Sequence, residues 1–285
     1  MNADFLASMA QASRVRAEAA EAHCSREQLL AQIAQAASPP PLTLSDQRFD
    51  LIAEVKLRSP AAGLLRTREA EDIGARARLY SQAGAAAISI LTEPSRFDGE
   101  LDHLREGVAA LGAIPAMRKD FLVNDYQVLE ARATGAGGVL LIVRMLSVES
   151  LQQMVSTALD QQLFVLLEIF DEQDISSLEP VLEAVKLRRG ASDLRSPRVL
   201  VGVNCRDLVT LQVVPERLLQ LVRYLPEDFP KVAESGLDTA HDAATLAAAG
   251  YDLALVGSAL MRAQSPANLV RDMLHAGRLA RSAGA

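Results

Sequence analysis

Eight short apolar runs alternate with longer amphipathic stretches along this 285-residue chain, and this alternation limits the fold more than any other feature. The runs are LIAEV (51–55), AAISIL (86–91), IPAMRK (114–119), GVLLIV (138–143), FVLLEI (164–169), VLVGVN (199–204), KVAES (231–235) and LALVGS (253–258). Such alternation is typical of βα units, whose strands lie parallel in one sheet. Eight units in roughly 250 residues match an α/β fold of the (β/α)8 TIM-barrel type.

The segment before the first run has a different composition. Residues 1–37 are rich in Ala, Glu and Arg at helical spacing, and the prolines of SPPPLTL (38–44) interrupt this pattern. We therefore predict an N-terminal helical extension and connector over 1–40 and a barrel domain over 41–285. A doubly wound open sheet is the alternative fold, but it usually has fewer strands and a glycine-rich first turn. The basic stretch 185–199 predicts a long solvated loop.

Composition excludes several classes of function. The net charge is −7, and basic residues are not interleaved with aromatic ones, so we expect no nucleic-acid partner. No apolar stretch approaches the roughly 20 residues of a membrane span, and the acidic residues near the start are unlike a secretory signal. The distant Cys24 and Cys205 and four scattered histidines predict no metal site. We expect a cytoplasmic protein with reduced thiols.

Polar side chains end most of the apolar runs. Glu54 and Lys56 lie two residues apart, hence on one side of the pleat. The other polar strand ends are Arg118, Lys119, Asp120, Arg144, Glu168, Asn204, Arg206, Glu234, Ser235 and Ser258, the last preceded by Gly257. Any one charge could be an ordinary ion pair or cap. Because active sites of these barrels lie at the carboxyl ends of the strands, the whole set predicts an active site there.

The last two strands also carry the signal of an anion site. Gly236 and Gly257 allow the backbone to approach a ligand closely, Ser258 opens a predicted helix, and Ser59 after the first strand adds a hydroxyl. These features match the phosphate site that many such barrels form at strands 7 and 8. The glycines could instead simply end tight turns.

The available side chains limit the chemistry to lysine and glutamate. The chain has no GxSxG elbow, nucleotide fingerprint or histidine at a strand end. Lysine as acid and glutamate as base suit proton transfer on a phosphorylated carbonyl compound, provided that burial moves their pKa values toward neutrality. A Schiff-base aldolase would use the same residue types, so both reactions remain open at this point.

Seven motifs resemble, in order and spacing, those of the indole-3-glycerol-phosphate synthase family. They are IAEVKLRSPAAG, SILTEPSRFDG, MRKDFLVNDYQVLEARATGA, VLLIVRML, VGVNCRDL, VAESGL and LVGSALMR, within residues 41–270. The resemblance implies a lyase of tryptophan biosynthesis that acts on 1-(2-carboxyphenylamino)-1-deoxyribulose 5-phosphate. Such an enzyme closes the pyrrole ring, releases carbon dioxide and water, and needs no cofactor.

The resemblance also implies roles for individual residues. Lys119 matches the general acid, and Lys56, with Glu54 beside it, matches a lysine that contacts the substrate carboxylate. Glu168 matches the carboxylate assigned to dehydration. The remaining matches are Asn204 and Glu234 for orienting substrate and lysines, Phe97 and Phe121 for flanking the aromatic ring, and Ser59, Arg206, Ser235, Gly236, Gly257 and Ser258 for binding substrate and phosphate.

The chain departs from the family pattern in four places, which are the first loop, FDGE (97–100) in place of the more usual FxGS, an insertion around residues 186–198 and the Ala-rich N-terminus. Ala61 and Ala62 stand where the family usually has serine and lysine. The alternatives are therefore a paralogous barrel lyase of the Schiff-base type and a catalytically silent ligand-binding barrel. We expect a monomer or weak homodimer.

Overall fold

A computed structural model describes residues 4–189, 196–207 and 210–283, and it contains a closed barrel of eight parallel strands. We number these strands β1 (Asp50–Val55), β2 (Ala87–Leu91), β3 (Ala116–Lys119), β4 (Gly138–Ile142), β5 (Phe164–Ile169), β6 (Val199–Asn204), β7 (Lys231–Glu234) and β8 (Leu253–Val256). Each strand pairs with its neighbours in sequence, and β1 pairs with β8 to close the ring. The predicted (β/α)8 fold is confirmed.

Helices surround the barrel and precede it. They are Asp4–His23, Arg26–Gln35, Ile73–Gln82, Pro94–Phe97, Leu101–Ala110, Asp125–Ala133, Val148–Asp160, Glu172–Arg189, Glu216–Leu221, Ala240–Ala249, Ser258–Arg262 and Pro266–Ala283, with 3-10 turns at Val143–Met145 and Val222–Tyr224. The predicted loop over 185–199 is wrong at its start, because the helix continues to Arg189. Residues 190–195 of that stretch lie outside the described residues.

The N-terminal helical pattern is divided into two helices. Ser25 separates them, since its hydroxyl accepts a hydrogen bond from the Gln28 amide while the Gln28 side chain accepts one from the Ser25 amide. This capping box satisfies two free donors at the start of the second helix. The first helix lies near the mouth of the barrel, where Met9 joins the apolar cluster inside the barrel and Phe5 packs against it.

The strands are buried on both faces, as a parallel barrel requires. Residues such as Leu51 and Val55 face the surrounding helices, while Ile52 belongs to the cluster inside the barrel. Side chains alternate between the two faces, so every second residue of a strand points inward. The polar residue that lies two positions after an inward-facing apolar residue is therefore also directed inward, at the carboxyl end.

A small hairpin in the loop after β1 was not predicted from the sequence. Arg58–Ser59 pairs antiparallel with Gly63–Leu64. Each strand has only two residues, too short for any hydrophobic period to appear in the sequence. The hairpin places Ser59, which is buried, beside the mouth of the barrel.

The last helix packs closely against the start of β1. A Cβ atom at Gly277 would lie 2.2 Å from Cδ1 of Phe49, whose ring is fully buried. Arg278 donates hydrogen bonds to the Phe49 carbonyl and to the Asp50 carboxylate. The glycine thus lets the helix and the strand approach each other.

We predict that Gly277→Ala lowers the free energy of unfolding by about 1 to 3 kcal/mol, because the buried Phe49 ring cannot move aside. The measurement is urea unfolding. Gly112→Ala is the matched control, since its added Cβ would meet no atom within 4 Å. Equal stability of the two variants would contradict this account of the packing.

Candidate active site

The predicted site residues line one cavity of about 390 Å³ at the carboxyl ends of the strands. They are Glu54, Lys56, Ser59, Phe97, Lys119, Phe121, Glu168, Asn204, Arg206, Glu234, Ser235, Gly236, Gly257 and Ser258. Residues as far apart in sequence as Glu54 and Ser258 thus meet at one end of the barrel. The parallel arrangement causes this, because all eight strands end at the same face.

Four charged side chains form a layer across the inside of the barrel. They are Glu54 of β1, Lys119 of β3, Glu168 of β5 and Glu234 of β7. Two residues earlier, the same strands place Ile52, Met117, Leu166 and Val232 in the interior apolar cluster. Alternate strands supply each layer of such a barrel. The polar layer therefore rests directly on an apolar one.

Lys119 lies between two carboxylates. Its Nζ is 3.0 Å from Oε2 of Glu168 and 3.3 Å from Oε2 of Glu234. The side chains of both acids are almost fully buried, and that of Lys119 is 18% exposed toward the cavity. Buried charges are stable only when paired, so these three groups hold one another in place.

Burial alone would lower the pKa of Lys119, but the carboxylates, led by Glu168 and then Glu234, outweigh it and raise that pKa above the ordinary value. The expectation that the lysine pKa moves toward neutrality is therefore wrong for Lys119. The physical reason is that two anions lie within hydrogen-bonding distance of one ammonium group.

Glu234 shifts in the opposite sense for a carboxyl group. Burial, followed by the charge of Glu168, raises the pKa of Glu234 well above its usual range, against the opposing effect of Lys119. Its Oε1 atom is buried and has no hydrogen-bond partner among the described residues. Glu234 is thus the member of the layer most ready to bind a proton.

The Glu54–Lys56 pair lies against the end of β8. Lys56 Nζ is 2.6 Å from Glu54 Oε1, and a Cβ atom at Gly257 would lie only 2.2 Å from that oxygen. Gly202 makes similar room for Glu234 Oε1. These two glycines are needed because carboxylates occupy the space that any side chain would fill.

The backbone after β7 turns through the left-handed region. Ser235 and Gly236 have φ values of 70° and 75°, and Gly257 directly precedes the short helix that begins at Ser258. Positive φ is unusual for serine and marks a constrained turn. These backbone groups border the cavity together with Ser59, whose Oγ accepts a hydrogen bond from the Ala62 amide.

Asn204 and Arg206 support the loop after β6. The Asn204 side-chain oxygen accepts a hydrogen bond from the Arg206 amide at 2.9 Å, and Arg206 Nη1 donates to the Leu211 carbonyl at 2.9 Å. Both side chains also border the cavity. They therefore combine a structural contact with access to a ligand.

Three aromatic rings form an apolar wall on another side. The Phe121 ring centroid lies 6.1 Å from that of Phe97 and 6.0 Å from that of Phe5. Phe5 was not predicted from the sequence, because its helix carries no motif and its position depends on tertiary packing. Asp238 and Arg262 at the rim, joined by an ion pair, were missed as well.

Two of the charged strand ends serve the scaffold instead of the cavity. Arg118 is buried and pairs with Glu130 at 2.7 Å, while Arg144 binds Asp174 at 2.7 Å. Neither arginine borders the cavity. Sequence alone could not separate them from Lys119, because one residue of shift along a strand reverses the direction of the side chain.

A closed (β/α)8 barrel with a buried lysine–glutamate layer at its catalytic face defines a barrel enzyme of the acid–base class. Among solved structures, it resembles 3-hexulose-6-phosphate synthase from Salmonella typhimurium (TM-score 0.57, 12% identity, 83% of this chain and 100% of that one). It also resembles thiamine phosphate pyrophosphorylase from Pyrococcus furiosus (TM-score 0.56, 16% identity, 82% and 98%). At these identities the likeness concerns the fold alone.

Sequence comparison specifies the family. The family model for indole-3-glycerol phosphate synthase matches residues 6–273. Indole-3-glycerol phosphate synthase of Mycobacterium avium (strain 104) is 38% identical over 96% of this chain and 95% of its own length. The enzyme of that name from Parafrankia sp. (strain EAN1pec) is 42% identical over 81% and 79%. The chain belongs to the indole-3-glycerol phosphate synthase family, as the motifs predicted.

The raised pKa of Glu234 leads to a prediction about pH. A carboxyl group with a raised pKa in the folded state contributes stability below its ordinary value of 4.5, and that contribution is lost as the pH rises through the folded value. Glu234→Gln is neutral at every pH. We therefore expect the stability of this variant, relative to the unmodified protein, to improve as the pH rises above 4.5.

Urea unfolding at a series of pH values measures this difference. Glu227→Gln is the control, because that carboxylate is exposed and pairs with Lys231. Lys231 is the first residue of β7, whereas Glu234 is the last residue of the same strand. The stability difference between Glu234→Gln and the unmodified protein could stay constant with pH, or Glu227→Gln could show an equal change. Either result would show that the pKa of Glu234 is not raised in the folded state.

Proposed function

We propose that this chain converts 1-(2-carboxyphenylamino)-1-deoxyribulose 5-phosphate into indole-3-glycerol phosphate, carbon dioxide and water. The observation that carries the proposal is the ammonium group of Lys119, held between Glu168 and Glu234 at the floor of the cavity. Membership of the family supplies the substrate. The reaction forms one C–C bond, breaks another as carbon dioxide leaves and releases water, with no net change in oxidation state. The help it needs from the protein is proton transfer and charge stabilisation, which lysine and glutamate can supply.

The first step is ring closure. The aromatic carbon that bears the carboxylate attacks the ketone carbon of the ribulose chain, and the ketone oxygen takes up negative charge. Lys119 donates a proton to that oxygen. Because its pKa is raised, Lys119 carries this proton at neutral pH, before substrate binds. A positioned general acid accelerates a reaction by roughly 10² to 10⁴.

Loss of carbon dioxide and water completes the indole. Lys56, fixed by Glu54 at 2.6 Å, contacts the substrate carboxylate and assists its departure. The hydroxyl formed at ring closure then takes up a proton from solvent and leaves as water, while Glu168 accepts the proton lost from the neighbouring ring carbon, so that the C=C bond of the pyrrole ring forms. Asn204 and Glu234 orient the substrate hydroxyls and the two lysines.

The rest of the cavity matches the two ends of the substrate. Phe97 and Phe121 flank the aromatic ring, in keeping with the apolar wall that they form. The phosphate lies at the other side, against Ser59, Arg206, Ser235, Gly236, Gly257 and Ser258. Backbone amides in a left-handed turn, with a helix start beside them, are suited to bind an anion.

The charge on Lys119 argues against the Schiff-base alternative. A lysine that attacks a carbonyl must be a neutral amine, and enzymes favour that form by placing the group in an apolar pocket or beside another cation. Here two carboxylates stabilise the ammonium form instead. Proton donation is thus the role that the surroundings of Lys119 favour.

Domain boundaries, oligomeric state and cellular location complete the proposal. Two helices before residue 36 and a first barrel strand at Asp50 support an extension over 1–40 and a catalytic barrel over 41–285. For the oligomeric state, a monomer or weak homodimer stays our proposal. Both cysteines are free, in keeping with the cytoplasm. Within the described residues, no helix combines the length and apolarity that crossing a membrane demands.

The test is turnover of the authentic substrate, followed by the fluorescence of the indole product. We predict turnover by the unmodified chain and a loss on the order of a hundredfold or more in kcat for Lys119→Ala. Lys186→Ala is the control, since this lysine pairs with Glu183 and Asp228 on the outer surface. Substrate binding without turnover would indicate a silent barrel, and a borohydride-trapped adduct on Lys119 would indicate the Schiff-base reaction.

A further inference from the structure

Arg16 joins the N-terminal helix to two loops of the active site. Its Nη2 donates a hydrogen bond to Asp120 Oδ1 at 2.7 Å, and its Nη1 lies 3.5 Å from Glu93 Oε1. Asp120 directly follows Lys119 at the end of β3, while Glu93 follows β2 by two residues. One guanidinium group of the extension thus contacts the ends of two neighbouring strands.

Each carboxylate is itself bound to the backbone that it stabilises. Asp120 accepts hydrogen bonds from the Phe121 amide and the Thr92 hydroxyl, both at 2.8 Å. Glu93 caps the helix Pro94–Phe97 by accepting hydrogen bonds from the amides of its second and third residues. The first acid therefore fixes the backbone beside Lys119, and the second fixes the helix that carries Phe97.

Both acids need a cation. The side chains of Glu93 and Asp120 are fully buried, and a buried carboxylate is costly without a partner. Arg118 also approaches Asp120, at 3.4 Å. Arginine suits the position between the two acids because its planar group presents several donors in fixed directions, whereas lysine offers one compact charge.

We propose that Arg16 is a positioning residue for the reaction at Lys119. By holding Asp120 and Glu93 together, Arg16 fixes the end of β3 beside the substrate. It also fixes the positions of the Phe97 helix and the N-terminal helix relative to that strand end. This inference rests on the proposed function, because it concerns the same reaction. Arg16 itself does not border the cavity.

A second arginine of the extension provides a matched control. Arg26 binds Asp125 through two hydrogen bonds of 3.0 and 2.7 Å, and it also joins the extension to the barrel. Its side chain is 37% exposed, against 29% for Arg16. Asp125 begins an outer helix and does not border the cavity. Substitution of either arginine should therefore weaken the attachment of the extension to the barrel. Only substitution of Arg16 should also displace Lys119.

The experiment compares Arg16→Gln with Arg26→Gln by steady-state kinetics and thermal unfolding. We expect Arg16→Gln to lower kcat by about tenfold to a hundredfold, the usual effect of a misplaced catalytic group, with a smaller change in KM. Arg26→Gln should keep kcat while it loses thermal stability. Arg16→Lys should recover part of the lost kcat. Equal kcat values for the two glutamine variants, or a change confined to KM, would overturn the proposal.

A spectroscopic readout does not depend on turnover. The chain has no tryptophan, so Phe5→Trp gives a single emission signal from the wall of the cavity. In this background, Arg16→Gln should shift the emission toward that of exposed tryptophan, and Arg26→Gln should not; an unchanged spectrum would contradict the proposal. If the unmodified chain does not convert the substrate, the proposed function is wrong. The comparison of the emission spectra still tests whether Arg16 positions the wall of the cavity. If Arg16→Gln does not fold, Arg16→Lys decides, and wild-type kcat in that variant would overturn the proposal.

Discussion

The ion pairs of the Lys119 ammonium group with two buried carboxylates are the interaction on which the rest of the site depends. This ammonium group lies at the floor of the cavity, above apolar residues that cannot solvate it. Glu168 and Glu234 replace water as its partners. The layer and the adjoining Lys56 hold three carboxylates and two ammonium groups, and burial, followed by the charge of Glu168, raises the pKa of Glu234. The surrounding backbone must then accommodate these groups, which explains the glycines at 202 and 257.

Much of this arrangement could be predicted from the sequence, because the periodicity of the strands and the geometry of the barrel reinforce each other. Each apolar run identifies a strand, and the parallel topology brings the carboxyl ends together, so that Glu54, Lys119, Glu168 and Glu234 meet in the cavity. The motif resemblance added the family and the reaction.

Other features depend on tertiary contacts that leave no local pattern. Arg118 and Arg144 have the same character in sequence as Lys119, yet they face helices and pair with acids there. The direction of the Lys119 pKa depends on two carboxylates 49 and 115 residues away. Phe5 and Arg16 reach the site only because the first helix packs against the mouth of the barrel, an arrangement that helical spacing alone cannot specify.

The most direct test of the central claim is the protonation state of Lys119 itself. The chain has only four lysines, so NMR of isotope-labelled lysine side chains can follow each one, with the Lys119 signal assigned by its loss in Lys119→Met. If Glu168 and Glu234 stabilise the positive charge of Lys119, this residue remains an ammonium group as the pH rises to 10.5, the ordinary pKa of lysine. Glu168→Gln then lowers the pKa of Lys119. Loss of the proton from the unmodified protein below that pH would contradict the account.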